Sequence, residues 1–183
     1  MIKDLDTLES KLKNIKLLVI GDCILDRYFI GEVNRISPEA PVPIFDLKDI
    51  YYSLGGAANV AANLRGLNVS VELIGVLGKD GKAKIFKNLA KDQKIGIKGL
   101  IEDTERPTTI KTRVIAQSQQ LLRIDKEKRK TNSKDYPAAG LRRARAAIAP
   151  TIITTTIPTA AHVIQPGNGG GGATILATLT TFI

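Results

Sequence analysis

The chain has 183 residues, 43% of them hydrophobic and 25% charged, which is enough for one well-filled core and excludes a disordered or collagen-like chain. Its formal net charge of +9 suits anionic partners such as phosphorylated metabolites. No run interleaves dense Lys/Arg with aromatics, so no nucleic-acid partner is expected.

No stretch reaches the roughly twenty apolar residues of a membrane helix, and the polar start MIKDLDTLESK has no signal-peptide core, so a cytoplasmic chain without a membrane partner is expected. Cys23 and His162 are each the sole residue of their type. Neither a disulfide framework nor a Cys/His metal site follows, and Cys23 reads as a small buried side chain.

In chain order, Leu5, Leu8, Leu12 and Ile15 fall at helical spacing and predict an amphipathic helix over residues 4–15. KLLVIGD at 16–22 is a continuously apolar run of the kind that forms a strand buried on both faces of a parallel sheet. Ligands gather at the carboxyl ends of such strands, which places Asp22 and Asp26 near a possible site. YFIGEV, VPIFDL and DIYYSL, interrupted by ISPEAPVP, predict a small antiparallel flap.

Gly55 and Gly56 then open the helix AANVAANLRGL, and SVELIGVLG at 70–78 returns as a strand, completing a βαβ unit. A helix over 81–95 turns Ile85, Phe86, Leu89 and Ile95 inward, followed by the strand IKGLIE. TTIKTRVIA and QQLLRID form a strand pair turning at Gln117 and Ser118. Period-two alternation puts Lys111 and Arg113 on one face, as an anion contact or as a charge-protected sheet edge.

Beyond Asp135 the chain contains no Asp or Glu and passes through Ala-, Thr- and Gly-rich stretches. This predicts a boundary, with one part over 1–135 and a low-complexity remainder over 136–183. The remainder is either a real tail or an imperfectly recorded sequence.

The segment most suited to chemistry is GGAANVAANLRGLNVSVELIGVLG, Gly55 to Gly78. Gly55 and Gly56 permit close backbone approach before a helix start, and Asn59 in its first turn offers both a donor and an acceptor to a hydroxyl pair. A tight turn packed on the sheet would use the same residues. This stretch resembles the amino-terminal signature of the ribokinase-like carbohydrate kinases, departing from it at Asn68, where a small Gly or Ser is usual. GDCILDRYFIGEVNRISPEAPVPIF and ERPTTIKTRVIAQSQQLLRID are similar to the branch acting on a heptose 7-phosphate, over roughly residues 14–125.

The resemblance implies a ribokinase-like three-layer α/β/α sandwich with a small antiparallel β lid, with the substrate-binding part over 1–135 and either an imperfectly recorded ATP-binding part or a real tail over 136–183, so that the nucleotide-binding half is incomplete in this sequence. It implies transfer of a phosphoryl group from ATP, with Mg²⁺, to the anomeric hydroxyl of the heptose phosphate, and a homodimer formed through the lid. By the same resemblance Asp26 would anchor sugar hydroxyls, Gly55, Gly56 and Asn59 would line the cradle, and Lys111 or Arg113 would meet the phosphate. The family's catalytic aspartate falls at Ala173, which cannot accept a proton, so no catalytic base is assigned. Another sugar kinase of the same fold and a non-catalytic sugar-phosphate-binding fragment remain alternatives.

Overall fold

A computed structural model describes residues 12, 15–128, 136–144 and 152–156. The amphipathic helix over 4–15 lies outside them except for Leu12 and Ile15, which pack against the core. The centre is a parallel sheet in the order β5-β4-β1-β8, built from β1 (Lys16–Gly21), β4 (Ser70–Gly78), β5 (Gly96–Asp103) and β8 (Ile152–Thr156). β1 pairs with β4 on one side, from Lys16 opposite Ser70, and with β8 on the other, from Leu17 opposite Ile152. A strand paired on both edges and covered on both faces has no wet side, which is why KLLVIG carries apolar residues without alternation.

Helices α1 (Ala57–Gly66) and α2 (Gly81–Asp92) cover one face, where Ala57, Ala58, Ala61, Ala83, Phe86 and Ala90 are buried with Val19, Leu73 and Leu77. The alanines bring the helices close to the sheet, and Phe86 fills the space between; burying a ring of that size contributes about 2 kcal/mol. Ile95 is buried too, but beyond the end of α2, which stops at Asp92. Helix α3 (Tyr136–Ala144) covers the opposite face, placing Leu141 and Ala144 against Leu18, Ile20 and Ile74. The three-layer expectation is met. Two elements from beyond residue 135 thus belong to the same core, β8 as a strand of the sheet and α3 packed on it, while residues 157–183, including Ala173, lie outside the described residues.

A second sheet, in the order β3-β2-β6-β7, forms the lid. β2 (Cys23–Ile36) and β3 (Pro43–Gly56) make one long hairpin instead of several short pieces, and a register shift after Ile30 leaves Lys48 as an extra residue that joins VPIFDL and DIYYSL into a single strand. β6 (Thr109–Ala116) and β7 (Gln119–Lys126) turn at Gln117 and Ser118, both at positive φ (50° and 64°), the two-residue hairpin geometry that matches strand twist.

The two hairpins of the lid are antiparallel as expected, and a parallel pairing joins them: β6 runs parallel to β2, with Asp26 opposite Lys111 and Tyr28 opposite Arg113. Both strands leave the carboxyl edge of the core sheet, so they travel outward in the same direction. Asp26 accordingly sits inside β2, not in a loop following β1.

Candidate active site

Alternation along β6 is regular. Ile110, Thr112, Val114 and Ala116 are buried while Lys111 and Arg113 are half-buried on the other face, as the sequence predicts. In β2 the same face carries Asp26 and Tyr28, and in β3 it carries Tyr51, Ser53 and Gly55. Four of the expected site residues, Asp26, Gly55, Lys111 and Arg113, therefore converge on one lid face through register alone.

Asp26 and Arg113 are bonded to one another: Arg113 Nη1 donates to Asp26 Oδ1, and their side chains are only 14% and 26% exposed, respectively. The hydrogen bond to Asp26 raises the Arg113 guanidinium above its ordinary value, and the nearby Asp26, Tyr28 and Asp125 charges add to it against the opposing effect of burial. The guanidinium also lies 5.4 Å from the centre of the Tyr28 ring, which stacks on Tyr51 at 4.4 Å and 8°. Arg113 is thus held on two sides and orients Asp26. Among the described residues Lys111 makes no ion pair, because Asp125, directly opposite it on β7, is engaged by Arg123 at 3.1 Å. Lys111 is the cation left available to an anion.

Gly55 lies under Asp26, and a Cβ there would collide with Asp26 Oδ2. Gly56 has φ +58° and is the residue before α1; its missing Cβ leaves room for the Asp22 carbonyl. That carbonyl accepts from Ala57 N at 2.9 Å, so one of the N–H groups at the helix start is already used. Asn59 is exposed in the first turn of α1, and its side chain makes no hydrogen bond among the described residues. The structure brings Asp26, Gly55, Lys111 and Arg113 together on one lid face and places Asn59 in the helix that follows Gly56.

Cys23 is buried, and its thiol is pushed up to about 12 by burial and by the Asp22 charge, with Arg106 opposing, so it is not a nucleophile at neutral pH. Among the described residues no three His, Cys, Asp or Glu side chains group as a metal site. The same residues contain no helix long and apolar enough to cross a membrane.

Sequence reasoning missed the Tyr28–Tyr51 stack, although the alternation that placed Lys111 and Arg113 together applies equally two residues along from Asp26. Asn68, the one departure from the expected glycine pattern, has φ +61° in the turn after α1. Asparagine tolerates that left-handed conformation, as glycine does, which accounts for the exchange.

An α/β core thus carries a lid that collects a carboxylate, a guanidinium and an ammonium on one face beside Gly55. The family model "pfkB family carbohydrate kinase" matches residues 14–148. This chain belongs to the pfkB family of carbohydrate kinases.

Among curated proteins, "Bifunctional protein HldE" of Helicobacter pylori is 50% identical over 112 residues, covering 61% of this chain and 24% of that protein. "D-beta-D-heptose 7-phosphate kinase" of Bordetella bronchiseptica is 47% identical over 118 residues, covering 64% of this chain and 37% of that protein. The chain thus spans well under half the length of these relatives. A carbohydrate kinase from Agrobacterium tumefaciens superposes with a TM-score of 0.55 at 19% identity, covering 77% of this chain and 45% of that one. A microbiome-derived acarbose kinase gives 0.53 at 16% identity, covering 77% and 52%. At these identities the superpositions establish the fold.

Proposed function

We propose that this chain is the sugar-phosphate-binding half of a kinase that phosphorylates D-glycero-D-manno-heptose 7-phosphate at its anomeric hydroxyl, giving the 1,7-bisphosphate that leads to ADP-heptose and the lipopolysaccharide core. The observation that carries the reading is the lid cluster of Asp26, Arg113 and Lys111 over Gly55, supported by the heptose 7-phosphate kinase named among the relatives.

In this reading the Asp26 carboxylate accepts hydrogen bonds from sugar hydroxyls and Arg113 fixes its direction. Lys111 meets the 7-phosphate, and the Tyr28–Tyr51 pair walls the sugar while the lid excludes water. ATP with Mg²⁺ supplies the phosphoryl group: its terminal P–O bond breaks as a bond to the sugar O1 forms, and the hydroxyl proton passes to a base. No described residue is assigned to the nucleotide, the metal or that base.

Lys111→Glu separates phosphate recognition from sugar recognition. By calorimetric titration, the affinity for heptose 7-phosphate is expected to fall about tenfold or more while that for the unphosphorylated heptose stays within about twofold. Arg113→Glu is expected to weaken both, because it also releases Asp26. Equal losses for Lys111→Glu would remove its phosphate role.

The lid also supports the homodimer reading. Leu122 and Ile124 on β7 and Ile50 on β3 are 55%, 47% and 43% exposed on the face turned away from Asp26. Leu122→Asp with Ile124→Lys is expected to shift the chain from dimer to monomer in light scattering, and an unchanged mass would contradict the lid as the interface.

A further inference from the structure

Three segments pass from the core sheet into the lid: the β1–β2 junction at Asp22, the end of β3 at Gly56, and the residues before β6 at Thr108. The first two are tied to each other, since Ala57 N donates to Asp22 O and Cys23 pairs with Gly56. The third is tied to α2. Asp80 caps that helix, its Oδ1 accepting from Lys82 N at 3.0 Å and Ala83 N at 2.9 Å.

The same carboxylate accepts from Thr108 Oγ1 at 2.8 Å and, through Oδ2, from Thr108 N at 2.9 Å. Thr108 is fully buried, and its hydroxyl accepts in turn from Gly78 N at 3.1 Å, at the end of β4. Burial works to raise the Asp80 carboxyl, but the donors from Thr108, Ala83 and Lys82 outweigh it and hold it below the usual range.

Two further ties lie on the lid face opposite Asp26. Lys82 Nζ, from the first turn of α2, donates to Tyr52 OH on β3 at 2.9 Å and sits 5.0 Å from the ring centre. Arg27 Nε on β2 donates to the buried Thr112 Oγ1 on β6 at 3.0 Å, locking neighbouring strands together behind the cluster. The start of one helix therefore holds the lid at two points, Tyr52 on β3 and Thr108 at the entry to β6.

We infer that the first turn of α2 is a brace that sets the angle of the lid, with Asp80 and Thr108 as positioning residues for Lys111, three residues further along β6. The functional part of this inference rests on the sugar-phosphate reading above. The Asp80–Thr108 and Lys82–Tyr52 ties run between core and lid, not within either sheet, so removing them leaves both ladders intact and loosens only their relation.

Thr108→Val keeps the shape and removes the hydroxyl; Thr108→Ser keeps the hydroxyl. By hydrogen-exchange mass spectrometry on the ligand-free chain, Thr108→Val is expected to speed exchange in β6 and β7 while β1 and β4 stay as they were, and Thr108→Ser is expected to restore the original rates. The Kd for heptose 7-phosphate is expected to rise about tenfold in the valine variant, as for loss of a buried hydrogen bond. Unchanged lid exchange overturns the brace, as does a uniform rise across lid and core, which marks a general loss of stability. If the unsubstituted chain binds no heptose 7-phosphate, the substrate reading fails and the exchange result alone decides the brace.

Discussion

Asp26→Ala is expected to raise the Kd for heptose 7-phosphate by about 100-fold or more, whereas Lys84→Ala on the exposed side of α2 changes it by less than about twofold. Asp26 lies against Gly55, and its second oxygen is directed into the space left by the missing Cβ. Removing it deletes the acceptor for the sugar and also leaves the Arg113 guanidinium, 26% exposed, without its partner. An unpaired, partly buried cation reorients toward other charges, so the damage exceeds one hydrogen bond. Asp26→Asn keeps the shape and loses the charge, and an intermediate loss is expected for it. Equal effects of Asp26→Ala and Lys84→Ala in calorimetric titration would remove the assigned role.

Gly56→Ala is the second large effect, and it acts on the fold. At φ +58° an L-residue costs about 1–2 kcal/mol in backbone strain. The added Cβ would also collide with the Asp22 carbonyl, which cannot retreat without breaking its bond from Ala57 N. Together these are expected to lower the unfolding free energy by about 2–4 kcal/mol in chemical denaturation. Gly66→Ala is the matched control: a Cβ there meets nothing within 4 Å, and helix propensity favours alanine, so the change is expected to be neutral to slightly stabilising. If the two variants behaved alike, the close approach at Gly56 would not be a constraint on folding.

The core was legible wherever burial dictates composition. KLLVIG and SVELIGVLG lack alternation because they are covered on both faces, and the Lys111/Arg113 pairing followed from alternation that the burial of Ile110, Thr112 and Val114 repeats. The lid was only partly legible. Its long strands are interrupted by a bulge at Lys48, and β7 is exposed along its whole length, so local hydrophobicity does not delimit them. The parallel pairing of β6 with β2 joins residues more than eighty positions apart, which no local pattern encodes.

The Asp26–Arg113 bond and the Asp80–Thr108 tie have the same origin, since each is a contact between distant segments. Asn59 illustrates the converse limit. Its place in the first turn of α1 was readable, but the direction in which it is exposed depends on how Gly56 turns the chain.

The central claim is that residues 15–128 form a cradle and lid selective for a phosphorylated heptose. Calorimetric titration of the full chain with D-glycero-D-manno-heptose 7-phosphate, with ribose and fructose as competitors, tests it most directly. Saturable binding of the heptose phosphate that neither competitor displaces, and that is lost in Asp26→Ala, is the expected result. Tighter binding of ribose or fructose, or heptose phosphate binding that survives Asp26→Ala unchanged, would contradict the account.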